Sequence, residues 1–375
     1  MLVNSRSEES KRVGAIVKSW IEKREDLKGS IWVATSGSSG RPRFVCLSKA
    51  GLLISAEAVN QHLRVSSEDR WLCALPAFHV GGLGIFARAA QARSEVIVFN
   101  ENWDPLNFRE ELEKHGITLT SLVPTQIYDL VSKNCQCPES VRAVVVGGER
   151  MDDELGNTAR RLGWPVLQSY GLTEAGSQVA TQSLESLQKE FSGEWLEVLP
   201  GWQVRGKPGD GLLQIYGEPL ARGYLEVSAN GQIEYNIASD AEGWFTTCDR
   251  AEVRESKGAS ELRVIGRVDD VVKILGEQVS MDLLNRVFKK VIAGSKETND
   301  GYLLALPDER KGHRIVAALV ASEDDSNART SVDAYNTQAE AVGRIDEAKI
   351  INEIPRSTLG KVKRQDLLDI YKTAD

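Results

Sequence analysis

VRAVVVGGERMDDELGNTARRLGWPVLQSYGLTE, residues 141–174, reads as strand, helix and strand in one pass. VRAVVVG (141–147) and PVLQSY (165–170) are short apolar runs of the kind that form buried strands. DDELGNTARRLG (152–163) between them has helical spacing, and it closes on arginines and Gly163, as helix ends favour. Each strand leads into a polar, glycine-containing turn, GGE (147–149) after the first and YGLTE (170–174) after the second. In open α/β sheets, ligands collect beyond the carboxyl ends of the strands. Tyr170 offers a flat face for a purine ring and Thr173 a donor for phosphate. Glu174 has the hard oxygens that suit Mg²⁺, and it would equally serve as a carboxylate at a helix N-terminus.

The same alternation extends upstream. IWVAT (31–35), RWLCAL (70–75), EVIVF (95–99) and TLTSLV (118–123) read as further buried strands, with a helical pattern in PLNFREELEKHG (105–116). This is an α/β sheet with covering helices. Beyond about residue 195 glycines crowd in, and GLLQIYG (211–217) and GWFTT (243–247) look like antiparallel strands of a small β region closing a large domain. Near Gly266 the texture changes again. MDLLNRVFKKV is an amphipathic helix, GYLLALP (301–307) and RIVAALV (314–320) are strands, and polar 322–340 is a loop or an exposed helix. The expected division is 1–268, a large domain, and 269–375, a small α+β domain of normal size.

The chain has 375 residues, 41% hydrophobic and 27% charged, with a formal net charge of -8. That length suits two domains. The acidic balance argues against nucleic acid or an anionic membrane surface as main partner. No apolar run reaches the ~18 residues of a membrane helix. Five scattered cysteines and an N-terminus without a signal-peptide pattern suggest reduced thiols in a cytoplasmic protein. With four histidines in the chain, a transition-metal site is not expected.

Three other runs carry candidate chemistry. Thr35, Ser36, Gly37, Ser38, Ser39 and Gly40, ending at Arg43, follow a strand. The glycines let the backbone turn toward a ligand, and hydroxyls and N–H groups can form an anion nest. A plain polar turn would look the same, and no Gly-Lys-Ser/Thr ending marks a Walker loop. Asp249 in TTCDR could accept ribose hydroxyls, with Arg267 of IGRVDD bracketing ribose and phosphate; a surface ion pair is the alternative. Lys361 in PRSTLGK (355–361) sits on a glycine-containing loop and is either a reaching cation or a solvated lysine.

The order of these runs resembles the AMP-forming adenylating superfamily of acyl-CoA synthetases, peptide-synthetase adenylation domains and luciferases. The phosphate loop, GGE, YGLTE, TTCDR, GRVDDVVKILGE and PRSTLGK follow one another over about residues 31–365. The resemblance implies a large AMP-binding domain and a small mobile C-terminal domain, N-terminally shortened because the phosphate loop begins 35 residues in. It implies that a carboxylate attacks the α-phosphate of ATP, and that CoA thiol then displaces AMP from the acyl-adenylate.

Carried over by motif, Thr35 to Arg43 would hold the β,γ-phosphates, and Gly148, Glu149, Tyr170 and Gly171 would line the adenine pocket. Thr173 would touch the α-phosphate, Glu174 the Mg²⁺, and Asp249 with Arg267 the ribose. Lys361 would bridge the carboxylate and the α-phosphate. Asp269 would be the hinge, and Lys273 and Gly276 would serve the CoA step.

EDRWLCALPAFHVGGLG (68–84) and SYGLTEAGSQVATQ (169–182) look most like the o-succinylbenzoate–CoA ligases of menaquinone and phylloquinone biosynthesis. His79, Ser177 and Gln178 would then line the acid pocket, with Thr181 behind them; His79 would alternatively gate the CoA tunnel. The implied partners are ATP, Mg²⁺, CoA and a small carboxylate, with no nucleic acid and no integral membrane contact, and a homodimer is compatible. Another aryl or fatty acid, a carrier protein in place of CoA, and a non-catalytic nucleotide-binding homologue are the competing readings. Arg43 stands where the family has lysine, and Cys248 where it has glycine.

Overall fold

The computed structural model describes residues 8–36, 42–227, 232–256, 258–275, 277–293, 298–321, 325–357 and 360–373. The chain divides into two compact units. The large one is Met1–Thr247 with Glu252–Arg263, and the small one is Cys248–Ala251 with Val264–Asp375. No helix among the described residues is long and apolar enough to cross a membrane.

In chain order the large unit begins with α1 (Glu8–Ile21), β1 (Ser30–Ser36), β2 (Pro42–Ser48), α2 (Lys49–Leu63), β3 (Arg70–Cys73), α3 (Val80–Ala92), β4 (Glu95–Val98), α4 (Pro105–Lys114), β5 (Leu119–Leu122), α5 (Pro124–Ser132), β6 (Ala143–Val146), α6 (Asp153–Arg161) and β7 (Val166–Leu172). It continues with β8 (Ser177–Thr181), β9 (Leu196–Val198), β10 (Gln203–Gly206), β11 (Leu212–Tyr216), β12 (Gly223–Val227) and β13 (Ile233–Ile237). Strands β14 (Phe245–Ser256) and β15 (Ala259–Arg267) contribute residues to both units.

β4, β3, β5, β6 and β7 pair in parallel in that order. β5 and β6 are buried throughout and β3 and β7 over most of their length, which explains their continuous apolar runs, since parallel strands are covered on both faces. EVIVF, expected as a buried strand, is instead the edge strand β4, with Glu95 and Val98 exposed. Trp71 and Leu72 are consecutive, so they point to opposite faces of the sheet. Leu72 joins a core with Phe108 and Leu112 of α4, Ile127 and Leu130 of α5, and Ala159 of α6. Trp71 lies beneath Arg88 of α3, whose guanidinium carbon is 5.5 Å from the ring centroid.

Two expectations change. The IWVAT strand does not join this sheet; as β1 it forms a four-stranded sheet of order β1-β2-β12-β13, with each neighbouring pair antiparallel. GLLQIYG and GWFTT do not form a closing region of their own either: they fall in β11 and at the start of β14 of the main sheet, whereas β12 and β13 belong to the sheet of β1 and β2. β8, β9, β15, β14, β11 and β10 continue the main sheet beyond β7 into eleven strands. The switch occurs at β7–β8, an antiparallel pair whose register shifts between Tyr170 and Gly171.

The small unit holds β16 (Val271–Ile274), β17 (Glu277–Ser280), α7 (Met281–Ala293), β18 (Thr298–Asp308), β19 (Gly312–Ala321), α8 (Asp325–Gln338), β20 (Ile345–Ile350) and α9 (Arg364–Thr373). Alternation along β18 and β19 sorts its core into two layers. Leu303, Ile315, Ala317 and Leu319 meet Phe288 of α7 and Tyr335 of α8. Leu304, Leu306, Val316 and Ala318 meet Leu367 and Tyr371 of α9. The polar 322–340 stretch therefore contains a helix that is not simply exposed: Ser331 and Tyr335, one helical turn apart, are buried.

Candidate functional site

The centre of the large unit's site is the end of β7. Gln168 is buried, and its amide ties the preceding turn to the strand: Nε2 donates to Glu149 O at 3.1 Å and Oε1 accepts from Met151 N at 2.8 Å. Gly148, at φ +88°, turns the chain in a region that disfavours side chains, and Gly148 and Glu149 are exposed. Tyr170 is half-buried. A Cβ on Gly171 would lie 2.1 Å from Ser177 O, so the close approach of β7 and β8 requires glycine there.

Thr173 and Glu174 lie on the short helical turn Thr173–Ala175, closed by Gly176 at φ +70°. Glu174 O accepts from Ala221 N at 2.7 Å, and Glu174 Oε1 accepts from the Tyr224 hydroxyl at 3.1 Å. The Arg43 guanidinium carbon lies 4.6 Å from the Tyr224 ring centroid. Arg43 also donates from Nε to Glu226 Oε1 at 2.7 Å, and Glu226 faces it in the β2–β12 register. Thr35 Oγ1 donates to Arg43 O at 3.3 Å across the β1–β2 hairpin. Ser36 ends β1; Gly37, Ser38, Ser39 and Gly40 lie outside the described residues.

His79 caps α3 through its backbone, with Leu83 N donating to His79 O at 2.9 Å. Burial pushes its pKa below the ordinary imidazole value. Ser177 and Gln178 are buried on β8, and the Thr181 hydroxyl donates to Gln178 Oε1. Ser177 Oγ accepts from Arg88 Nη2 at 2.8 Å.

Arg88 has no carboxylate partner among the described residues. Its other side-chain contacts are the Ser121 hydroxyl at 3.3 Å and the Trp71 ring, and its Nε has no partner. Burial pushes its pKa down to about 10, so it remains a cation at neutral pH. A buried charge lacking a counter-ion is costly. Such a group suits an anion delivered from outside.

In the small unit, Arg267 at the end of β15 donates from Nη1 to the buried Asp249 Oδ1 at 3.2 Å. Asp269 follows on the turn Val268–Asp270, and the neighbouring Asp270 pairs with Arg364. Lys273 is exposed on β16, and its carbonyl accepts from His313 Nδ1 at 3.1 Å. Gly276 lies outside the described residues.

Lys361 is exposed, and its backbone is joined to Ser357. Ser357 N donates to Lys361 O at 2.7 Å, and Lys361 N donates to Ser357 Oγ at 3.2 Å. Arg356 donates from Nη1 to Gly360 O at 3.2 Å and from Nη2 to Asp300 Oδ2 at 2.6 Å.

Within the units, the fold thus joins Thr35 to Arg43, Arg43 through Tyr224 to Glu174, and Asp249 to Arg267. Sequence reasoning missed Arg88, Tyr224 and Glu226. The signal for Arg88 was present, as a lone charge in the apolar helix VGGLGIFARAAQA. Tyr224 and Glu226 gave none, because their partners lie far away in the chain.

No group of three or more His, Cys, Asp or Glu side chains among the described residues could hold a metal by itself. Glu174 alone matches the habit of Mg²⁺, which binds through one or two carboxylates together with substrate phosphates.

The chain is similar to 2-succinylbenzoate–CoA ligase of Escherichia coli, 32% identical over 285 residues, covering 76% of this chain and 57% of that protein. It is also similar to indoleacetate–CoA ligase of Aromatoleum aromaticum, 28% identical over 347 residues, covering 89% of this chain and 65% of that protein. It therefore spans less than two thirds of these relatives' length. The solved structure of o-succinylbenzoate coenzyme A synthetase from Bacillus subtilis, in complex with ATP and magnesium ion, shares the fold at a TM-score of 0.75 and 24% identity, covering 90% of this chain and 69% of that one. The profile described as "AMP-binding enzyme" matches residues 25–221, more than half of the chain and the span that carries the β1–β2 hairpin, Gly148, Tyr170 and Glu174. By that match, and by the fold that places those residues at the ends of β1, β6 and β7, the chain belongs to the AMP-binding enzyme family.

Proposed function

We propose that the chain activates a carboxylic acid with ATP and passes the acyl group to CoA, and that the acid is o-succinylbenzoate, an aromatic dicarboxylate of menaquinone biosynthesis. In the first step a carboxylate oxygen attacks the α-phosphorus. The bond between that phosphorus and the bridging oxygen breaks, and pyrophosphate leaves with the electron pair. In the second, the CoA sulfur attacks the acyl carbon, the thiol proton is lost, and AMP leaves.

The run from Thr35 to Arg43 takes the β,γ-phosphates in this reading. Gly148, Glu149, Tyr170 and Gly171 take adenine, Thr173 the α-phosphate, and Asp249 with Arg267 the ribose. Lys361 places a positive charge where the two anions meet and where charge builds on phosphorus. Glu174 would hold Mg²⁺, whose chemistry is to neutralise phosphate charge. Asp269 is the hinge, 268/269 the domain boundary, and Lys273 and Gly276 belong to the CoA step. The setting is a cytoplasmic enzyme acting on small molecules.

The observation that carries the choice of acid is Arg88. An acid with a second carboxylate supplies the missing counter-charge beside Ser177, with His79 and Gln178 completing the pocket. The name of the Escherichia coli relative supports the same acid. The test is pyrophosphate release with o-succinylbenzoate, benzoate, indoleacetate and a fatty acid. A clear preference for o-succinylbenzoate is expected, and a better rate with a monoacid overturns it. The second reading, an aryl monoacid, has support from the indoleacetate ligase, which matches more of this chain.

A further inference from the structure

The Glu174 carboxylate is held by a residue fifty positions away on a different sheet. Tyr224, on β12, donates its hydroxyl to Glu174 Oε1 at 3.1 Å. The ring is itself held in place. Arg43 lies 4.6 Å from its centroid and Phe245 packs at 6.4 Å between centroids. Arg43 is anchored in turn by Glu226, two residues along β12 from Tyr224 and on the same face of the strand.

A glutamate has three side-chain torsions, and fixing them costs conformational entropy whenever a ligand must order them. A donor already bonded to Oε1 selects one orientation beforehand. It occupies one lone pair and leaves the other, and all of Oε2, to accept a cation.

We infer that Tyr224 is a positioning residue that presets Glu174 for a divalent cation, with Arg43 and Glu226 acting as the clamp on its ring. The inference rests on the reading of Glu174 as the carboxylate that meets metal-bound ATP. It gives Arg43 a task in addition to phosphate contact. It also ties the β1–β2 pair to the metal carboxylate through one aromatic ring.

The test measures binding rather than turnover. Affinity for ATP is measured with Mn²⁺ as the probe metal and again with the metal removed by EDTA, in the whole chain and without any acid. Tyr224→Phe is expected to weaken Mn²⁺–ATP binding about tenfold while leaving metal-free ATP binding nearly unchanged. Glu174→Gln should show the same selective loss, and the double variant should be no worse than either single one. Arg43→Gln should weaken ATP binding with and without metal, with an extra loss for Mn²⁺–ATP that is smaller than that of Tyr224→Phe.

Equal losses with and without metal, no loss, or additive losses in the double variant overturn the inference. A wild-type protein that binds Mn²⁺–ATP no better than ATP alone overturns it too. If the selective, non-additive pattern appears but no acid releases pyrophosphate, the proposed function fails and the role of Tyr224 stands.

Discussion

Arg88 on α3 donates to the Ser177 hydroxyl on β8 at 2.8 Å, a cation reaching across the unit to a neutral group. Buried guanidinium groups ordinarily meet carboxylates, and this one meets none among the described residues. Replacing it with a neutral side chain of similar length therefore separates two effects. Arg88→Met should raise the KM for o-succinylbenzoate about ten- to hundredfold, the loss of a charge-assisted contact. The KM for a monoacid should change little. The same variant should be as stable as the parent in urea, or more so, because a buried ion exchanged for apolar volume is often neutral or stabilising. A large loss of stability would show that Arg88 is structural.

Lys361→Ala should abolish adenylate formation by about 10²–10³-fold while leaving conversion of synthetic acyl-adenylate to thioester intact. The side chain is exposed, so unfolding should be unchanged within about 0.5 kcal/mol. Separate assays of the two half-reactions decide it; equal loss in both removes the assigned role.

Gly171→Ala should destabilise the chain by about 3 kcal/mol or more, because its new methyl would meet backbone rather than a yielding side chain. The urea midpoint should fall, and ATP affinity should fall with it, since the Tyr170–Glu174 turn grows directly from that point. Gly201→Ala makes a useful contrast. It has open space around its Cβ position, so any cost there is that of its φ of +81° alone.

Asp69 gives a pH signature. Burial pushes its pKa up, but Arg142, the Ser66 N–H and the Thr118 hydroxyl outweigh that and leave it below the usual carboxylate value. Its contacts are Arg142 Nε at 2.8 Å, Ser66 N at 2.8 Å and Thr118 Oγ1 at 2.7 Å. With the folded pKa depressed, the stability it contributes is complete above the unfolded value of about 4 and is lost as pH falls through the folded value. Asp69→Asn should cost about 3 kcal/mol at pH 7, and the difference from wild type should narrow in that acid window. Urea titrations at pH 7 and across the acid range check this.

Local signals gave the sequence reading its successes. β6 is four consecutive buried residues, and α4 opens with Asp104 accepting from Leu106 N and Asn107 N ahead of Pro105 at its first turn. Such features need only a few neighbours to be recognised. Partition into sheets was not legible in the same way. β1 reads like the parallel strands that follow it, yet its hairpin partner β2 pairs with β12, some 180 residues onward. The clamp on Tyr224 depends on that pairing, as does the company Arg43 keeps. Residues 325–338 looked too polar for a core, yet the helix docks through Ser331 and Tyr335, which are buried, and Val332, which packs against the same core.

Cys248–Ala251 leaves the large unit, and the chain then returns to it for Glu252–Arg263. The small unit is thus discontinuous in sequence. A recombinant fragment begun at Val264 would carry Arg267 but leave Asp249 behind, stripping the arginine of its carboxylate. Splitting the gene at the obvious late boundary would therefore separate two halves of an ion pair, and complementation in trans would require the severed four-residue stretch to find its way back.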